Sequence, residues 1–290
     1  MAQPYKAKIG VIGGTGLYNI EGMHNIREID VKTPFGEPSD SIIIGELGGS
    51  DIAFIPRHGK GHRIMPGEIP SRANIYALKC LGVEQIIAVN SVGSFKEEIK
   101  PGELLIPDQL IDRTRSRIST FFGQGIVAHV PFAEPFCPDV RLTLASAATE
   151  AGANIHLGGT YVVMEGPAFS TRAESRLHRS WGADVIGMTA LPEAKLAREA
   201  EICYAVVALS TDFDSWHEAK EAVSVDIIID TMKRNVELSK RLIRIAIGNL
   251  KPTRNCPCSN ALAGAIVTNP DAIPAKRKQE LELIIGKYIK

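Results

Sequence analysis

The chain has 290 residues, 44% of them hydrophobic and 23% charged, with 33 acidic and 33 basic side chains. Such a composition describes an ordinary globular protein, large enough for one big α/β domain or two small ones, with no linker dividing it. The zero net charge gives no argument for nucleic acid or an anionic membrane as partner, no apolar stretch reaches a membrane-spanning length, and a cytoplasmic location is expected.

Residues 8–12 read as a first strand that ends in Gly13-Gly14-Thr15-Gly16. Glycines let the backbone approach a phosphate and turn its N–H groups toward it, and Thr15 adds a hydroxyl donor. A dinucleotide fold is the rival reading, but Asn19 stands where its third glycine belongs. Strands are then expected at 26–31, 41–47 and 52–56, the last delivering Arg57-His58-Gly59-Lys60-Gly61-His62-Arg63. Arg57, next to the strand end, offers a planar fork suited to an oxyanion, whereas Lys60 and Arg63 fit a solvated loop. A helix over 69–81 stops at Gly82, and a buried strand over 85–89 exits at Asn90-Ser91-Val92-Gly93-Ser94. Three small, polar strand exits that can meet at one sheet edge point to a small-anion pocket.

Segments 104–107 and 109–111 continue the sheet, and 113–130 is irregular, a length of loop that is usually functional or covers an interface. It carries His129, which either touches ligand or serves packing. A helix over 139–152 and a strand over 159–164 lead to Glu165-Gly166-Pro167-Ala168-Phe169-Ser170, where Phe169 can stack on a flat ring and Ser170 can hydrogen-bond it. After a helix over 172–181 and a strand over 185–189, Thr189 sits where an anion or a helix cap would use it, and a helix begins at Pro192-Glu193.

Residues 203–209 read as a strand buried on both faces, followed by Ser210-Thr211-Asp212-Phe213-Asp214-Ser215-Trp216 and a long helical segment. Extended chain points Asp212 and Asp214 the same way, toward the edge where open α/β sheets bind ligands. Paired carboxylates beside Phe213 and Trp216 raise one pKa, which suits a proton donor; the competing reading of Asp214 is a helix cap.

Of the five cysteines, Cys256-Pro257-Cys258 is one residue too tight for the usual zinc knuckle and has no histidine after it, so it reads as two surface thiols in a turn, a redox or disulfide role staying open. The seven histidines show no ligand spacing with acids, and no metal is expected.

The motifs Gly13-Gly14-Thr15-Gly16, Arg57-His58-Gly59, 133–138, Glu165-Gly166-Pro167, Gly187-Met188-Thr189 and 211–216 together resemble the trimeric nucleoside phosphorylase family, in register from about residue 9 to 248. The resemblance implies a single α/β domain with a central mixed sheet flanked by helices, a catalytic unit at 1–250, and an extension at 251–290 that is part of the same fold. It implies a homotrimer, with a hexamer built from two trimers as the alternative, that cleaves purine nucleosides with inorganic phosphate as co-substrate and no cofactor. The family's phosphate ligands fall on Thr15, Arg57, His58, Asn90, Ser91 and Thr189. Met188 borders the ribose, and Phe169, Ser170, Asp212, Phe213 and Asp214 hold the base, with Asp212 and Asp214 as the catalytic pair. Val225, Ile228 and Ile229 fall where the methylthio-specific branch places an apolar 5' wall, and His129 matches a histidine that reaches a neighbouring subunit's site; His62 is a weaker candidate.

In the branch that handles 6-oxopurines, a glutamate stands at Ser170 and an asparagine at Asp212, so this chain favours adenine: Asp212 can accept from a 6-amino group and, when protonated, donate to N7. Val89-Asn90-Ser91 is nearer the 6-oxopurine branch. The expected reaction is phosphorolysis of 5'-methylthioadenosine, against 5'-methylthioinosine or broad adenosine and inosine cleavage, a non-catalytic purine-binding protein, or a nicotinamide dehydrogenase. The tail resembles extensions in enzymes of heat-loving microbes, which implies a disulfide from Cys256 or Cys258 or a contact between trimers.

Overall fold

The structure, a computed structural model, describes residues 5–14, 22–217 and 225–289; the side chains of 225–230 and 232–235 lie outside that description. Thr15 falls outside it as well. In chain order the strands and helices are β1 (Ile9–Gly13), β2 (His24–Ile29), β3 (Ile42–Leu47), β4 (Ser50–Pro56), α1 (Ser71–Cys80), β5 (Gln85–Ser94), β6 (Leu104–Ile106), β7 (Gln109–Arg113), α2 (Pro138–Glu150), β8 (Ile155–Leu157), β9 (Thr160–Met164), α3 (Arg172–Ser180), β10 (Val185–Gly187), α4 (Ala190–Glu199), β11 (Cys203–Phe213), α5 (Val225–Asn249) and α6 (Ala275–Ile285).

One mixed sheet runs β2-β3-β4-β1-β5-β10-β9-β7, and β11 pairs with both β5 and β6. Strand β11 shows how the sequence sets the layers. Tyr204, Val206 and Ala208 join the core under α1, α4 and α6, while Cys203, Ala205, Val207 and Leu209 join the core under α2 and α5. A strand covered by helices on both faces has no polar side, which is why its apolar residues run without alternation. Helix α2 buries Val140, Leu144, Ala147 and Ala148, the spacing that places side chains on one face of a helix. Helix α6 buries Leu281, Ile284 and Ile285 in the same core as α1, so this C-terminal helix packs against the rest of the chain.

The centre of the sheet forks. Strand β5 is parallel to β1 only as far as the pair Ile12–Ala88, whereas its far end pairs antiparallel with β10 at Gly93–Ile186 and Ser94–Val185. Strand β11 follows β5 along both halves, from Cys203–Gln85 to Phe213–Ser94. The gap between the carboxyl ends of β1 and β4 on one side and of β10 on the other is where the cavity described below opens.

Two strands run further than their apolar runs suggest. Asn90 and Ser91 lie inside β5, and Thr211 and Asp212 inside β11, because backbone pairing with the neighbouring strand continues past the last apolar residue. The pairing slips between Ser210 and Asp212, so that Thr211 is an extra residue in the strand. Strand β8 is an element that the sequence reading does not contain. Among the described residues, no helix is long and apolar enough to cross a membrane.

Candidate active site

A cavity of about 430 Å³ is lined by the chain from the ends of five strands. Gly14 comes from β1, His58 and Arg57 from β4, Ser91 and Gly93 from β5, Met188 and Thr189 from β10, and Thr211, Asp212 and Asp214 from β11. Phe169 and Pro167 close one side, and Val236 and Ser239 of α5 another.

Arg57 is 1% exposed, and a guanidinium so deeply buried requires a charged partner. Glu193 of α4 provides it: Arg57 Nε donates to Glu193 Oε1 at 2.5 Å and Nη2 to Oε2 at 3.1 Å. Nη1 donates to the Val89 carbonyl at 2.9 Å, just past the point where β1 stops pairing with β5. Tyr204 donates its hydroxyl to Glu193 Oε2 at 2.9 Å. The planar fork is thus engaged by a carboxylate, and Arg57 lines the cavity with the N–H groups its ion pair leaves over. The Asn90 amide lies 3.3 Å from Arg57 Nη2 and 2.7 Å from the Thr189 hydroxyl, behind the cavity wall. Leu191 is extended, with φ −115° and ψ 140°, so the regular part of α4 starts at Pro192 and Thr189 sits in the turn before it.

His58 Nδ1 is 2.9 Å from the Ile64 carbonyl, which can only accept, so Nδ1 carries the proton. Burial, and then the charge of Arg57, lower the pKa of His58 to about 4. Its ring is neutral at pH 7 and its Nε2 is an acceptor. The exposed His62 stacks on it, with ring centres 4.2 Å apart.

At the other end, burial raises the Asp212 carboxyl to about 6; the nearby Asp214 charge adds to this and the Thr211 hydroxyl opposes it. That hydroxyl lies 2.7 Å from Asp212 Oδ1 and 3.2 Å from the Val92 carbonyl. Asp214 is also raised, chiefly by burial. Thr211, Asp212 and Asp214 all reach the cavity, which strict alternation forbids and the extra residue in β11 allows. Gly93 makes room for the pair: a Cβ there would stand 3.1 Å from Asp212 Oδ2 and 3.2 Å from Asp214 Cβ.

The aromatic neighbours fall elsewhere than expected. Trp216 is buried with Phe95, Val162 and Ile186, donates to the Ser94 carbonyl at 2.8 Å and carries Arg179 3.9 Å above its ring. Phe213 stacks on His217 at 4.7 Å instead of lining the cavity. Phe169 is 45% exposed at the rim. Ser170 is buried, and its carbonyl accepts from the Ser215 hydroxyl at 2.7 Å, tying the β9 exit to the β11 exit. The reciprocal cap of α3, in which Thr171 accepts from Glu174 N–H at 3.1 Å, fixes this lip. His129 is exposed, donates its backbone N–H to the Ala265 carbonyl and lies outside this chain's cavity. Val225, Ile228 and Ile229 belong to α5, but their side chains are outside the described ones.

Two residues were missed in the sequence. Glu193 was read only as part of a helix start. Arg117, inside the irregular segment, donates to Glu165 Oε1 at 3.0 Å, to the Leu191 carbonyl at 2.8 Å and to the Met188 carbonyl, joining the exits of β9 and β10. Gly166, at φ +69°, packs where a Cβ would meet Met188 Sδ at 2.5 Å, so Met188 rests on bare backbone. The tail reading also needs correction: Cys256 and Cys258 are buried, not surface thiols, and all five cysteines are free, with no disulfide.

Comparison with known proteins gives consistent results. Residues 8–248 match the model of the phosphorylase superfamily. The chain is 58% identical over 282 residues to the S-methyl-5'-thioadenosine phosphorylase of Geobacter sulfurreducens, covering 97% of this chain and 99% of that protein. A methylthioadenosine phosphorylase from an antarctic soil metagenomic library superposes with TM-score 0.92 at 48% identity, over 96% of this chain and 99% of the other. A variant of the adenosine/methylthioadenosine phosphorylase of Schistosoma mansoni, in complex with methylthioadenosine, gives TM-score 0.77 at 38% identity over 85% of this chain and 93% of that one. With both its sequence and its forked mixed sheet matched over nearly their whole length, the chain belongs to the phosphorylase superfamily, in the branch of the S-methyl-5'-thioadenosine phosphorylases.

Proposed function

We propose that the protein catalyses the reversible phosphorolysis of 5'-methylthioadenosine to adenine and 5-methylthioribose 1-phosphate. The observation that carries this reading is the division of one cavity. A buried carboxyl with its pKa near 6 stands at one end, and hydroxyl, imidazole and backbone groups suited to an oxyanion stand at the other. The names of the relatives point the same way.

In this reading, phosphate lies among Gly14, Thr15, His58, Ser91 and Thr189, with Asn90 orienting the Thr189 hydroxyl. Arg57 contributes positive charge, held in place by Glu193. Phosphate attacks the anomeric carbon as the glycosidic bond breaks, and its negative charge stabilises the oxocarbenium-like ribose. Asp212, protonated, donates to purine N7, so that the base leaves neutral. Once ionised, the Asp212 carboxylate, with Asp214, accepts from the 6-amino group, which a 6-oxo group cannot replace. Phe169 stacks on the base with Ser170 beside it, and Met188 borders the ribose. An apolar 5' wall from Val225, Ile228 and Ile229 favours methylthio over hydroxyl by about 0.8 kcal/mol per buried methylene.

The reaction needs no cofactor and no metal ion. The active assembly is a cytoplasmic homotrimer, or a hexamer of two trimers, in which His129 reaches a neighbouring site; residues 1–250 form the catalytic unit and 251–290 the extension. Asp212→Ala tests the assignment: turnover on 5'-methylthioadenosine should fall by roughly 10²- to 10⁴-fold, the range for general acid catalysis, and unchanged turnover refutes it.

A further inference from the structure

Away from the cavity, Cys137, Cys203, Cys256 and Cys258 come together, all buried, with every pair of sulfurs within 4.8 Å. They arrive from three separate parts of the chain. Cys137 caps the start of α2, Cys203 opens β11, and Cys256 and Cys258 sit on a short 3-10 turn in the C-terminal extension. Cys203 and Cys256 Sγ are 3.3 Å apart, and no S–S bond joins any of the cysteines.

We propose that these thiols form a structural zinc site that clamps the C-terminal extension to the central strand and to α2. A tetrahedral Zn(Cys)4 centre with bonds of about 2.3 Å has sulfur–sulfur edges of about 3.8 Å, so the four sulfurs already surround a volume of the required size. Four protein ligands would leave no open position, as in structural rather than catalytic sites. The donors are soft, which selects zinc over magnesium or calcium. Each bound thiol gives up its proton, so loading releases protons to solvent. A doubly negative tetrathiolate centre needs compensation nearby. The amino end of α2, capped by Cys137, supplies a partial positive charge. A cavity of about 400 Å³, lined by Gln85, Asp139, Leu142, Cys203, Arg254 and Cys256, leads from the surface to two of the thiols and provides a route of entry.

The site lies at the opposite end of β11 from Asp212, nine residues away, or about 30 Å along an extended strand. Its role is therefore in anchoring the tail, not in the chemistry of the cavity.

The test uses the full-length protein. Elemental analysis of protein purified without added chelator should find about one zinc per chain. Protein stripped by chelator and refilled with zinc chloride should release protons and regain thermal stability. Cobalt chloride in place of zinc should give the intense visible bands of a tetrahedral thiolate centre. Cys258→Ser should lower zinc content at least tenfold, whereas Cys80→Ser, whose thiol lies on α1 outside the cluster, should retain it. Should Cys258→Ser not fold, the cobalt spectrum of the unaltered protein decides. Intact mass lower by two hydrogens per bond, with no zinc, would show disulfides and overturn the proposal. Alkylation of all five thiols, the four of the cluster and Cys80, with no zinc and no cobalt spectrum would overturn it equally.

Discussion

Two groups in the cavity make opposite contributions to stability over the same pH range, and separating them tests the electrostatics of the site. Burial lowers the His58 pKa from 6.5 to about 4. Between those values the unfolded chain binds a proton that the folded protein does not, so this group makes stability rise with pH. Asp212 is raised from 3.8 to about 6, so in that interval the folded protein holds the extra proton and stability falls as pH rises. At about 1.4 kcal/mol per tenfold change in proton affinity, each contribution amounts to about 3 kcal/mol, and the two nearly cancel between about pH 4 and pH 6. His58→Gln should leave the Asp212 contribution unopposed, and Asp212→Asn should leave that of His58. Urea unfolding of the parent and both variants at pH 4, 5, 6 and 6.5 measures this, since all other titrating groups are common to the three proteins. Relative to the parent, His58→Gln should lose stability as pH rises and Asp212→Asn should gain it. Parallel curves for all three would refute the assigned pKa shifts.

Other perturbations act on single contacts. Thr211→Val removes a hydroxyl that favours the charged form of Asp212; a hydrogen bond to a charged group contributes about 1.5–3 kcal/mol, so the alkaline limb of kcat/KM at saturating phosphate should move up by about one to two pH units, and an unmoved limb would assign it to another group. Glu193→Ala leaves Arg57 buried without its carboxylate and should destabilise the protein by about 3–5 kcal/mol in chemical denaturation, with a loss below about 1 kcal/mol contradicting the importance of the pair.

Much of this arrangement could be read from the residues because it rests on local patterns. Continuous apolar runs mark β1, β4, β5 and β11, and the polar residues at their ends and after β10 carry Gly14, His58, Ser91, Thr189 and Asp212 to one cavity. What local patterns do not contain is pairing across the core. Glu193 is 136 residues from Arg57, and nothing in its helix distinguishes it from a solvated acid until β4 and α4 pack together. Arg117 reaches Leu191, 74 residues on, from a segment with no periodicity. The slip at Thr211 depends on the register between β11 and β5, which no single strand specifies. The four converging thiols illustrate the same limit: Cys256-Pro257-Cys258 has a spacing that looks unsuited to metal, because half of the ligand set comes from Cys137 and Cys203.

The central claim is most directly tested by following free base released from 5'-methylthioadenosine, adenosine, 5'-methylthioinosine and inosine, each with and without inorganic phosphate. Adenine release that requires phosphate and is fastest from 5'-methylthioadenosine is the predicted result. Preferential release of hypoxanthine would contradict the role given to Asp212 and Ser170 in choosing the base, and release of no base from any of the four by folded protein would contradict phosphorolysis itself.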